Sequence, residues 1–137
     1  MRIPYSTTVV WLAIAVGACQ NRDTSRLRPE RETAVAAEGV VHRAANLTFR
    51  YTHDGWEDRV ASIVVTRQSV LIYKNEKIGL EITPSSRREY EVAREADRVR
   101  ISAGAGKSRE VWSFVPPDSA AAWTESIRAV IKAIHRP

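Results

Sequence analysis

The sequence predicts a mainly β domain, in which about seven short antiparallel strands are followed by one amphipathic α-helix. Two observations predict this class. Between Val40 and Val115, short runs rich in β-branched residues alternate with turn signals, which is typical of an antiparallel meander. After Pro116 and Pro117, the spacing of apolar residues changes to that of a helix. The segment from Val40 to Pro137 is about the usual size of one domain.

Polar or glycine-containing turns bound each predicted strand. In the first strand, Leu47 to Tyr51 ("LTFRY") alternate between apolar and polar residues before the predicted turn "HDGWED". The glycine-rich stretch Gly104 to Arg109 ("GAGKSR") separates the last two strands. The seven predicted strands lie within Val40–His53 and at Arg59–Thr66, Ser69–Lys74, Ile78–Ile82, Glu89–Arg94, Val99–Ala103 and Glu110–Val115.

The C-terminal helix is predicted to begin at Asp118, which is a favourable N-cap residue. Its apolar residues fall within an arc of about 100°, the width expected of a stripe that faces a core. Charged residues such as Glu125 and Arg128 lie on the opposite side. We therefore expect the helix to cover one apolar surface through Trp123, Ile127, Val130, Ile131 and Ile134.

The order of seven strands and one helix resembles the pleckstrin-homology-like (PH-like) superfold in its bacterial or GRAM-like forms. Residues 63–82 ("IVVTRQSVLIYKNEKIGLEI") are similar to the strand–turn–strand core of such domains. Residues 111–131 are similar to their last strand and helix, including the helix tryptophan, here Trp123. The resemblance covers Arg59 to Ile134 and is weak over Val40 to Asp58. It implies a partly open barrel whose end is plugged by the helix.

The PH-like domains that bind phosphoinositides carry clustered lysines and arginines around their first loop. The corresponding segment here, Thr52 to Arg59, contains three acids and one arginine. The resemblance therefore does not imply headgroup binding by that route, and fold alone assigns no ligand.

The N-terminal residues have the order of a secretory signal. Arg2 supplies a positive start, Val9 to Val16 an apolar run, and Gly17 and Ala18 two small residues. The apolar run is about half of the roughly 20 residues that cross a bilayer, so a permanent transmembrane helix is not expected.

The residues Val16 to Cys19 ("VGAC") resemble the lipobox of bacterial lipoproteins, although Val16 stands where leucine is usual. The resemblance implies cleavage between Ala18 and Cys19 and a membrane anchor of acyl chains, such as palmitate, on Cys19. In that family a non-acidic residue after the cysteine, here Gln20, accompanies delivery to the periplasmic face of the outer membrane where the source has one. The alternative is an ordinary signal peptide near a chance cysteine. Since Cys19 is the single cysteine of the chain, its modification leaves no thiol for a disulfide.

The segment from Gln20 to Gly39 contains four arginines, four acids and few large apolar residues. Such a composition predicts a flexible linker, with a mean reach of about 25 Å by the coil estimate. A short helix over Pro29 to Glu38 is the alternative, although the sequence shows no surface for it to pack on. The predicted division is therefore a signal peptide at 1–18, a lipidated linker at 19–39 and the PH-like domain at 40–137.

Charge and motifs exclude several classes of function. The chain carries 21 basic and 16 acidic residues, and its net charge of +5 is spread without a block of one sign. We therefore expect no nucleic-acid partner. The stretch "GAGKSRE" lacks the first glycine of a P-loop, because Ile101 occupies that position. The three histidines show no metal-ligand spacing, and no nucleophile elbow occurs, so we expect no metal, no cofactor and no enzyme activity.

Three residues are candidate contacts with a partner. Trp56 follows Gly55 in a predicted turn, where an exposed aromatic side chain can anchor an interface; the alternative is that it folds back onto the end of the barrel. Arg87 and Arg88 form a basic pair in a predicted loop.

The function predicted from these observations is a lipid-anchored, non-catalytic binding module for a protein or other component of the cell envelope. The alternative is a structural subunit of an envelope complex.

Overall fold

The computed structural model describes residues 23–53 and 55–135. The signal peptide predicted at 1–18, with Ala18, and the lipidation site at Cys19 lie outside these residues. The described chain contains two α-helices and seven strands. Their bounds are α1 (Pro29–Glu38), β1 (Val40–Thr52), β2 (Trp56–Thr66), β3 (Val70–Lys74), β4 (Lys77–Ile82), β5 (Tyr90–Glu95), β6 (Arg98–Ala103), β7 (Glu110–Phe114) and α2 (Ala120–Ile134).

The seven strands form one antiparallel sheet in the order β4-β3-β2-β1-β7-β6-β5, which curls into a half-barrel. The long strand β1 pairs with β2 along its length and with β7 at Arg50 to Thr52, so it joins the two parts of the sheet. Its pairing with β2 shifts register between Ala44 and Leu47, where Asn46 has a φ of 57°. Bulges bend strands, which helps to curl the sheet. The predicted fold class is confirmed, with two helices where one was expected.

The concave face of the sheet and α2 enclose the main core. Trp123 of α2 is 1% exposed. Its ring stacks on His42 with centroids 4.7 Å apart and meets the edge of Phe114 at 5.5 Å. The predicted cap was wrong, because the Ser119 hydroxyl accepts the Ala122 N–H while Asp118 accepts the Trp123 indole N–H at 2.5 Å. The predicted stripe is confirmed, with Trp123, Ile127, Val130 and Ile131 buried and Ile134 packed against the core.

A second apolar cluster lies on the convex face of the sheet. Leu27 and Val35 pack there against Val64, Leu71 and Tyr73, and all five side chains are buried. The flexible linker predicted at 19–39 was therefore wrong from Asp23 onward, and the domain begins well before Val40. The physical reason lies in β2 and β3, whose buried residues are consecutive rather than alternating, so both faces of the sheet need cover.

Polar contacts fasten α1 to the convex face. The Arg43 guanidinium donates to both carboxylate oxygens of Glu32, at 3.0 and 2.5 Å, and to the Tyr73 hydroxyl at 3.1 Å. The hydrogen bonds from Arg43 lower the pKa of Glu32, whereas burial raises the pKa of the Tyr73 hydroxyl. Arg31 forms a further ion pair with Glu81 at 2.8 Å. These contacts orient α1 over the apolar cluster of the convex face. Burial of that cluster provides most of the free energy that holds α1 on the sheet.

Neither helix of the described chain has the length and apolar character needed to cross a membrane.

Removal of residues 23–39 should destabilise the domain strongly. Loss of Leu27 and Val35 alone should cost about 3–6 kcal/mol, from roughly 1.5–3 kcal/mol for each buried aliphatic side chain. Urea unfolding of chains that start at Asp23 and at Val40 measures the difference in the free energy of unfolding. Equal stability of the two chains would show that α1 is a dispensable cover.

Trp123→Ala should remove about 3–5 kcal/mol of stability, because it leaves a cavity where α2 packs against the sheet. That loss is a large part of the roughly 5–15 kcal/mol that holds such a domain folded. Trp56→Ala is the matched control, since Trp56 is 62% exposed and its removal should cost little. A denaturant melt of each variant makes the comparison. Similar losses in both would show that Trp56 also belongs to the core.

Candidate functional site

A groove opens where β2 separates from β3. The pairing of these strands ends at Ser62 and Tyr73, but β2 extends back to Trp56. On this side the backbone of residues 57–61 therefore faces the groove rather than another strand. The groove has a volume of about 600 Å³ and lies between β2 and the β3–β4 hairpin. Its lining residues are Asp58, Arg59, Val60, Ala61, Ile72, Tyr73, Lys74, Lys77, Ile78, Gly79 and Trp112.

Trp112 lines the groove from the opposite wall of the half-barrel. It belongs to β7 and is 3% exposed. A Cβ atom added to Gly79 of β4 would lie 3.0 Å from its Cη2 atom and 3.2 Å from its Cζ2 atom. The absence of a side chain at Gly79 therefore lets the indole reach across to β4. The Nε1 atom of Trp112 is buried and has no acceptor among the described residues.

Tyr51 and Arg59 form a layer beside Trp112. The Tyr51 ring lies 4.5 Å from the Trp112 ring, between centroids. The Arg59 guanidinium carbon lies 4.0 Å from the Tyr51 centroid and 5.8 Å from the Trp112 centroid, which are cation–π distances. Glu57 pairs with Arg59 at 2.5 Å and keeps it over the rings. The layer thus combines a large apolar surface with a positive charge at the groove.

A network of hydrogen bonds connects this layer with the loop before β5. The Tyr51 hydroxyl donates to one carboxylate oxygen of Glu110 at 2.9 Å, and Arg88 donates to the other at 3.2 Å. Burial raises the pKa of the Tyr51 hydroxyl, and the hydrogen bond with Glu110 raises it further. Tyr51 therefore stays protonated at neutral pH and acts as a donor. This hydrogen-bond network holds the aromatic layer in position.

The charge of the groove is positive. Among the residues that line it, Asp58 is acidic, whereas Arg59, Lys74 and Lys77 are basic. Within the described chain, neither lysine forms an ion pair. The two ammonium groups are therefore available to a negatively charged ligand.

Trp56 is the first residue of β2, so its predicted position within a turn was wrong. It pairs with Thr52 at the end of the β1–β2 hairpin. Its side chain is 62% exposed, and the Arg50 guanidinium carbon lies 5.1 Å from the ring centroid. The alternative in which Trp56 folds back onto the end of the barrel does not fit this exposure. It also lines a second recess of about 430 Å³, together with Tyr51, His53, Gly55, Glu57 and Arg59.

The predicted basic pair divides into two unlike residues. Arg88 is exposed at the surface but is held by contacts within the protein, because it pairs with Glu110 and donates to the carbonyl oxygens of Ala103 and Ser108, at 3.2 and 3.4 Å. Arg87 is exposed. The structure therefore links Arg88 to the recess beside Trp56 through Glu110 and Tyr51, and leaves Arg87 outside this network.

The other motifs have structural roles. The stretch "GAGKSR" contains a single 3₁₀ turn, Gly106–Ser108, between the paired strands β6 and β7. This is the hairpin connection that the sequence predicts. In residues 23–53 and 55–135, no group of three or more histidines or acids is placed to hold a metal ion.

Sequence reasoning missed the residues that build the groove, chiefly Trp112, Gly79, Arg59 and Lys77. One signal for them was present. An isolated glycine within a strand pattern, as in "KIGLEI", indicates close approach by another group, here the Trp112 indole. Nothing in the sequence indicates that β2 is unpaired with β3 before Ser62, because that depends on the register of three strands.

A comparison of the sequence with models of known protein families gives no match, and a search among curated proteins likewise finds no similar sequence.

Gly79→Ala should displace Trp112, because the new methyl group would lie 3.0 Å from the ring. Such overpacking typically costs about 1–3 kcal/mol. The indole N–H resonance of Trp112 in a ¹⁵N spectrum should shift, while that of Trp123, at the plug, should not. An unchanged Trp112 resonance would contradict the close contact.

Proposed function

We propose that this chain is a bacterial lipoprotein whose PH-like domain is a non-catalytic binding module for a protein of the cell envelope, and that the groove beside β2 is its recognition site. The lipobox resemblance at Val16 to Cys19 supports the anchor. The strand order and the plug formed by α2 support the PH-like assignment. The observation that carries the binding role is the groove itself, with its unpaired strand edge, apolar floor and two lysines.

The ligand that fits this groove best is an extended peptide segment. Four consecutive residues of β2, Asp58 to Ala61, line it. Because adjacent side chains of a strand point to opposite faces, a run of neighbours along one wall means that the strand edge borders the groove. An extended segment can form backbone hydrogen bonds to such an edge and place alternate side chains in adjacent pockets.

The side chains of the groove indicate what that segment contains. An apolar residue would pack on Val60, which is 43% exposed, and on the half-buried Ile78, both of which line the groove without a charge. Acidic residues would face Lys74 and Lys77 at the turn. We therefore infer a partner segment that combines one apolar anchor with one or two acids.

The composition of the groove favours binding over catalysis. Among the described residues that line it there is no histidine, serine or cysteine, and Tyr73 is held by Arg43. One observation favours the alternative role as a structural subunit. Trp56 and Val60, which belong to one strand, are 62% and 43% exposed, as expected of residues covered in a permanent assembly.

A photo-crosslinking amino acid at Val60 tests the proposal in membranes from cells that make the full chain. A defined envelope protein should be captured from position 60 and not from the exposed position Gln68, which lies at the β2–β3 turn. Capture should fall about tenfold with Lys77→Glu, equivalent to ~1.4 kcal/mol of binding free energy. The matched change Lys107→Glu, in the exposed 3₁₀ turn, should leave it unaltered.

Equal capture from positions 60 and 68 would contradict the proposed site. Capture that persists in Lys77→Glu, combined with constant recovery of the protein in one large complex, would favour the structural role instead.

A further inference from the structure

The first residues that the structure describes attach to the rest of the fold beside the groove. Thr24 is 1% exposed and is held by hydrogen bonds to Asn46 and Ser62. The N–H and the hydroxyl of Thr24 donate to the Asn46 side-chain oxygen at 2.7 and 2.9 Å. The Thr24 hydroxyl oxygen also lies 2.7 Å from the Ser62 hydroxyl oxygen. The backbone N–H groups of Asn75 and Glu76 donate to the carbonyl oxygens of Thr24 and Arg26, at 3.3 and 2.9 Å. The first described residues are therefore fastened to the β3–β4 turn, which is one wall of the groove.

This attachment leaves little chain between the fold and the anchor. Four residue steps separate Cys19 from Asp23, and even a fully extended chain spans at most about 14 Å over that length. The inference rests on the proposed lipidation of Cys19. Given that modification, the β3–β4 turn stays close to the membrane surface whatever conformation the intervening residues adopt.

The opposite end of the sheet is farther from the anchor. Helix α1 leads away from the attachment point, and its ten residues span about 15 Å. At its far end the Arg67 N–H donates to the Gly39 carbonyl oxygen at 3.2 Å, which places the β2–β3 turn there. The two turns that flank β3 therefore mark a near end and a far end of the domain.

The near end has the chemistry of a surface that contacts anionic lipid. Lys74 and Lys77 are exposed there, while Arg26, exposed beside the turn, lies 3.9 Å from the Glu76 carboxylate, so the two lysines are the main positive groups of this end. Basic groups near an anionic bilayer are attracted to its surface. Trp56 lies toward the same end, exposed at the end of the β1–β2 hairpin, and tryptophan favours the membrane–water interface.

We propose that the domain stands on the membrane that anchors it, with the β3–β4 turn and the mouth of the groove toward the bilayer and the β2–β3 turn away from it. The partner segment is then drawn from the membrane surface: it is a juxtamembrane stretch of an envelope protein.

Distance measurements on the full, acylated chain test this orientation. With Cys19 acylated, an introduced cysteine is the only thiol, so a fluorescent donor can be placed at Lys77→Cys or, as the matched control, at Gln68→Cys. The protein is inserted into vesicles of phosphatidylethanolamine and phosphatidylglycerol that carry an acceptor on lipid headgroups. Energy transfer from position 77 should be at least twofold more efficient than from position 68. Insertion of twenty glycine and serine residues between Arg22 and Asp23 should reduce the difference.

Equal transfer from the two positions, or greater transfer from position 68, would overturn the orientation. Retention on the vesicles is measured separately, with Cys19→Ser as the control. If the native chain and Cys19→Ser are retained equally, the lipoprotein proposal fails and the orientation fails with it. If only the native chain is retained and the two transfer efficiencies match, the orientation alone is wrong.

Discussion

The burial of β2 and β3 on both of their faces is the constraint on which the rest of this structure depends. The last six residues of β2 and the first four of β3 are all buried. If the core lay only on the concave side, the outer faces of these strands would be exposed to water. Val64, Leu71 and Tyr73 would then form an apolar patch. The N-terminal segment covers that patch with Leu27 and Val35. Because the cover has to lie against β3, it brings the start of the described chain to the β3–β4 turn.

The end of that two-sided burial creates the groove. On the N-terminal side of Ala61 the residues of β2 are exposed, and at this level of the sheet β3 has ended and turned into β4. The space between them is kept open by Trp112, which crosses the half-barrel and meets β4 at Gly79. Tyr51 packs against the indole with its ring tilted, and Arg59 lies over the Tyr51 ring. A rigid aromatic floor next to an unpaired strand edge suits the recognition of an extended segment, since little order is lost when one binds.

The same covering segment connects the fold with the proposed anchor. A flexible linker of twenty residues would let the domain turn freely at some distance from the membrane. Because the segment from Asp23 to Gly39 is attached to the sheet, it does not provide such a linker. With the proposed lipidation of Cys19, the basic turn and the groove would be held near the bilayer, and the domain and the membrane would together select a partner.

The sequence alone determined the seven strands, the C-terminal helix and the role of Trp123, because each depends on periodicity and turn chemistry within a few residues. It also contained, in the consecutive apolar residues of β2 and β3, the need for cover on both faces. Only the tertiary structure decided that α1 provides this cover, that Trp112 reaches Gly79, and that Arg88 supports Tyr51 through Glu110 whereas Arg87 does not. Trp56, predicted in a turn, became the first residue of a strand through its pairing with Thr52. These outcomes depend on strand register and on contacts between residues distant in sequence, which no local pattern encodes.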